Sequence, residues 1–122
     1  MAIAARIAAA GLPPAAAQAI NGEVATGLKA LGKSQGTALH VGAAVMVLED
    51  VAAGSGVVLP DNASPTDSYV IYNGGANAVN VYPPLGGFLN NLAANAPVIL
   101  ASTKAANFVC VEALKWIALP GA

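Results

Sequence analysis

Ionisable side chains are scarce in this chain. Of its 122 residues only 9% are charged, five basic and six acidic, for a formal net charge of −1; an average soluble domain carries about 25%. A free globular surface normally interleaves both signs and keeps its net charge away from zero. So little charge predicts that neighbours cover much of this surface. The basic residues Arg6, Lys29, Lys33, Lys104 and Lys115 are scattered, and no stripe of them tracks a phosphate backbone, so nucleic acid is not expected as a partner. Cysteine is as sparse. Cys110 stands alone, which excludes an internal disulfide and a cysteine-based zinc site. Its place in the apolar run 107–112 reads as a buried structural thiol.

Other chemistry is also thin. His40 is the only histidine; a catalytic base needs a nucleophile and an orienting acid, and zinc needs several N or S ligands. It reads as a junction residue. Glu49 and Asp50 are adjacent, and neighbours on a strand point to opposite faces, so they form no carboxylate dyad. Asp61 and Asp67 lack the regular spacing of a calcium loop and read as turn formers. No catalytic residue, metal site or cofactor is expected. No run of about 18 apolar residues exists to span a bilayer, and Gly11, Pro13 and Pro14 break the apolar start against a secretory leader. A membrane is not expected as a partner.

What is present is small and apolar. Hydrophobic residues make up 57% of the chain, with 13 glycines, and the length suits one domain with an arm to spare. The pattern divides near Gly42, giving an arm over residues 1–41 and a β domain over 42–122. In the arm, Ile20, Val24, Leu28, Leu31 and Leu39 recur at helical spacing, which predicts an amphipathic helix interrupted by Gly22, Gly27 and Gly32. A shorter helix is expected over Ala2–Ala10. Ile20, Val24, Leu28 and Leu31 are the candidate interface residues, a stripe that needs something to lie against.

Beyond Gly42 the runs are short and rich in Val, Ile, Tyr and Phe. They span Ala44–Val51, Gly56–Leu59, Ser68–Asn73, Ala78–Tyr82, Pro97–Ser102, Ala106–Glu112 and Lys115–Leu119, with turn residues between. Asn73-Gly74-Gly75-Ala76-Asn77 predicts a hairpin with glycines at positive φ. A second hairpin is expected through Glu112–Leu114, placing Phe108, Cys110 and Trp116 on one side. Short strands without intervening helices point to an antiparallel β-sandwich, a jelly roll or a small barrel.

One motif is sharp. Gly27-Leu28-Lys29-Ala30-Leu31-Gly32-Lys33-Ser34 fits the phosphate-loop pattern, in which backbone N–H groups cradle phosphates. The preceding segment is no buried strand, and Gln35–Ala44 is too short for the helix and crossover such a loop requires. Nucleotide binding through Gly27–Ser34 is therefore a remote alternative. Tyr69, Tyr72 and Tyr82 cluster along the sequence and could form a sugar-binding platform, although packing explains them as well.

Several segments together resemble small virion proteins of tailed bacteriophages. They are Gly56–Pro60, the stretch Val70–Pro84, Leu92–Pro97, Phe108–Val111 with Trp116, and Ile20–Leu28 upstream. The resemblance implies a non-enzymatic capsid decoration (cement) protein, or else the capsid-binding part of a head or tail fibre. It further implies a homotrimer, the major capsid protein as partner, and a place on the outer surface of the virion. A glycan-binding adhesin module is the other alternative.

Overall fold

Between Val24 and Leu119, the residues described by a computed structural model, ten strands fold into two sheets. They are β1 (Val24–Lys29), β2 (Leu39–His40), β3 (Val45–Asp50), β4 (Gly56–Val58), β5 (Ser68–Asn73), β6 (Val79–Tyr82), β7 (Phe88–Leu89), β8 (Val98–Leu100), β9 (Ala105–Glu112) and β10 (Lys115–Leu119). Sheet A has the order β1-β3-β5-β9-β10-β7 and sheet B the order β2-β4-β6-β8. Successive strands alternate between the sheets until β9, so each coil of chain gives one strand to each layer.

Three coils stack in parallel: β1 on β3 on β5 in sheet A, and β2 on β4 on β6 in sheet B. The ladders continue around the corners, where Gly56 and Leu31 exchange both backbone hydrogen bonds at 3.1 Å and the N–H of Leu59 reaches the carbonyl of Tyr82 at 2.9 Å. The chain then reverses. β8 runs antiparallel to β6, β9 antiparallel to β5, and β10 antiparallel to β9. This is a β-solenoid-like stack whose parallel coils give way to antiparallel strands, with β7 pairing parallel to β10 at the far edge of sheet A and β8 at the far edge of sheet B.

The arrangement corrects the expected antiparallel β-sandwich or jelly roll. Each of the seven runs expected beyond Gly42 falls on a strand, while β7 falls in a stretch read as turn, and most neighbours in a sheet come from different coils. The predicted hairpin at Asn73–Asn77 is such a case: β5 and β6 lie in different sheets, and the segment is a corner. Gly75 does not adopt positive φ there. It is required for space, because a Cβ would sit 2.6 Å from Cβ of Val51. The hairpin through Glu112–Leu114 does form.

The partly helical arm is also corrected where it is described. Residues 24–29 are strand and 39–40 are strand, with only a single 3-10 turn at Gln35–Thr37 between them. The expectations at Ala2–Ala10 and Ile20 lie outside the described residues. The reason is a bulge. Along β1, Ala25 pairs with Met46 and Leu28 with Leu48, so three residues of β1 match two of β3. The extra residue turns a strand's period of two into the step of three that imitates a helix.

The core lies between the sheets. Leu48, Val57, Ile71, Val79, Val81, Leu89 and Phe108 are fully buried, each worth about 1.5–3 kcal/mol relative to exposure. Phe108, Cys110 and Trp116 share the inner face of the β9–β10 hairpin, as expected, all at most 2% exposed.

Candidate functional site

The expected interface residues do not form one face. Ile20 lies outside the described residues. Val24 is 62% exposed at the start of β1, Leu28 packs inward against the core, and Leu31 is an exposed corner residue. A stripe of Val24, Leu28 and Leu31 requires the helix that the bulged strand replaces.

The phosphate-loop match has a different local structure. Gly27–Ser34 is the end of β1 followed by a corner, and no helix of more than one turn follows it. The N–H groups of Lys33 and Ser34 both point to Oγ1 of Thr37, at 3.3 Å each. Gly32, at φ +65°, is packed so tightly against the Thr37 side chain that a Cβ would collide with it. Thr37 thus holds the donors that a phosphate loop would offer to its ligand.

The tyrosines are separated. Tyr69 faces inward, its ring 5.9 Å from that of Trp116. Tyr82 is buried on the outer side of sheet B with Ala38 and Val58, and Tyr72 stands on the outer side of sheet A. No common aromatic platform results from the three.

His40 lines a groove of about 400 Å³ on the outer side of sheet B, together with Gln35, Val58, Asp61, Asn62 and Leu85. Gln35 is committed to the scaffold: its Nε2 donates to the carbonyl of Pro83 at 2.7 Å and to Oδ1 of Asn95 at 3.1 Å. The groove wall contains no Ser, Thr, Cys, Lys or Tyr, so His40 has no nucleophile there to activate. No group of three His, Cys, Asp or Glu suited to a metal occurs among the described residues.

Cys110 is the buried thiol the sequence suggested. Its Sγ lies 3.1 Å from the carbonyl oxygen of Glu112. Burial pushes its pKa above the ordinary value, and the Asp67 carboxylate adds to the effect. Such a thiol stays protonated and inert.

The outer face of sheet A, the sheet with more strands, is an ordered surface. Alternate residues of a strand face opposite sides; Met46, Leu48, Ile71, Ala106, Phe108 and Ala118 go to the core, which leaves their neighbours outside. Register then aligns Val24, Val45, Val70, Asn107 and Leu119 in one row across five strands. Val47, Tyr72 and Ala105 form a second row, and Ser68, Val109 and Ile117 a third. No member of these rows is charged. Sequence reasoning missed this surface, although a signal existed: Val45–Leu48 and Phe108–Val111 are apolar at successive positions, the mark of a strand covered on both sides.

Comparison of the chain with protein-family models, curated proteins and solved structures finds no match.

Proposed function

We propose that this chain is a non-enzymatic structural protein that works by surface contact within a larger assembly. Its best-fitting role is decoration of the outer surface of a tailed-phage head. The observation that carries the reading is the outer face of sheet A, where aligned rows of uncharged, mostly aliphatic residues run across the strands of a molecule with few ionisable groups. Exposed apolar area of this extent marks an interaction surface on a soluble domain. The resemblance of Gly56–Pro60, Val70–Pro84 and Phe108–Val111 to phage virion proteins supplies the specific setting. The partners that follow are the major capsid protein and further copies of the chain.

A cement protein binds in many copies, so modest contacts per copy suffice. The test is to search purified virions for the chain by mass spectrometry and to add purified protein to heads stripped of it. Binding that saturates and raises the temperature at which heads rupture supports the reading. Absence from virions, together with no binding to heads, ends it. Labelling seen on the tail alone would favour the fibre reading instead.

A further inference from the structure

Asn73 and Gly74, at the corner after β5, are a sequence pair with a reactivity of its own. In an open chain the backbone nitrogen of a glycine attacks the side-chain amide carbon of the asparagine before it, since no Cβ hinders the approach. A bond forms from that nitrogen to Cγ, the Cγ–Nδ2 bond breaks, and ammonia leaves with the proton of the backbone nitrogen. Water then opens the cyclic imide, at one carbonyl to give aspartate and at the other to give isoaspartate. Every other asparagine between Val24 and Leu119 is followed by a residue with a side chain, and the second such pair, Asn21-Gly22, lies outside the described residues.

The corner requires both partners. A Cβ on Gly74 would lie 2.8 Å from the Leu48 carbonyl oxygen and 3.0 Å from the Tyr72 ring. The Asn73 amide is fully buried; it donates to the carbonyls of Asn77 at 2.8 Å and Leu100 at 3.0 Å and accepts the Gly75 N–H at 3.0 Å. The Gly74 N–H itself is given to the carbonyl of Leu48 at 2.8 Å. Ring closure strips the proton from the Gly74 nitrogen and expels Nδ2. Each event severs hydrogen bonds that the closed corner holds, so the contacts that demand the pair also disarm it.

We propose that Asn73 is a modification site guarded by the fold: intact while the corner is closed, converted to aspartate or isoaspartate once it opens, and then unable to resume its place. The last step follows from the donor count. A carboxylate only accepts. At position 73 it faces the Asn77 and Leu100 carbonyl oxygens, two more acceptors, in a place without solvent, and a buried charge so placed is strongly disfavoured. Isoaspartate further adds a methylene to the main chain between β5 and the corner. Unfolding thereby becomes irreversible with time spent open.

This chemistry is independent of the assembly role. In the test, the full chain is held in mildly alkaline buffer, with and without urea, and digested at intervals for mass spectrometry, which separates amide from acid at positions 21 and 73. In urea both Asn-Gly pairs should convert at similar rates, Asn21 serving as the chemical reference. Without urea, conversion at Asn73 should slow by at least about a hundred-fold, the factor set by how rarely the corner opens. A smaller difference overturns the proposal, as does an Asn73 that stays intact in urea while Asn21 converts. Refolding gives the second readout. In an Asn21→Gln variant, chains held in urea should lose native Trp116 emission on dilution in step with conversion at Asn73. Converted chains that regain that emission overturn the proposed lock.

Discussion

The carboxamide of Asn73, fully buried at the end of β5, donates from Nδ2 to the carbonyls of Asn77 (2.8 Å) and Leu100 (3.0 Å). It also accepts the Gly75 N–H at 3.0 Å. Leu100 belongs to sheet B, so one side chain ties both layers to the corner that joins them. Asn73→Ala leaves the Gly75 N–H and the Leu100 carbonyl without these partners. The expected loss is about 3 kcal/mol, read from urea unfolding followed by Trp116 fluorescence. Tyr69 and Cys110 predict a pH dependence. Burial raises both pKa values, with Asp67 adding to each. Both groups are neutral when protonated, so the folded state holds these protons more tightly than the unfolded chain does. Their contribution is constant below the unfolded values of 9.0 and 10.0. As pH rises past these, the unfolded chain ionises first and stability falls, until the folded groups ionise too. The melting temperature should decline between pH 8.5 and about 10.5, and Cys110→Ala should flatten the first part of that decline.

Among the elements, β1 and β2 are the informative pair. Legibility was high for strands whose two faces differ from their flanking turns, as Ser68–Asn73 and Lys115–Leu119 were read with their observed bounds. It was low for β1, where the bulge at Gly27 brings Ala25 and Leu28 to the same side, and for β2 and β7, two residues each, too short to display any period. The direction of pairing was misread for another reason. Short connections suggest hairpins, but here they are corners, and the paired residues lie 21 and then 25 positions apart (Val24 with Val45, Val45 with Val70). Unequal coil lengths hide the repeat that would have revealed a stack. The candidate site was less legible than the fold, because a surface row such as Val45, Val70 and Asn107 exists only once register is known. β1 also covers β3, and Ala30 and Val41 belong to the main core. Removing residues 1–23 should therefore preserve the strand signature in circular dichroism. Removing residues 1–41 uncovers two parallel edges and part of that core, and should give an aggregating chain without cooperative unfolding.

At the scale of the whole molecule, scarcity of charge and abundance of small aliphatic residues describe one design. Parallel stacking needs side chains that repeat from coil to coil without crowding, and valine at positions 45, 47, 57, 70, 79 and 81 meets that need in both sheets. The residue type that fills the interior (Val57, Val79, Val81) also furnishes the outside (Val45, Val47, Val70), so folding and association draw on one kind of contact. The reversal at β8 to β10 has a further consequence. It ends the run of parallel coils on one side of the stack, as a stopper does. Duplicating a segment such as 45–67 would lengthen both layers together and widen the valine rows in proportion, while the stopper stayed untouched. Size in this architecture is thus an inheritable dial, turned by whole coils upstream of a constant lid.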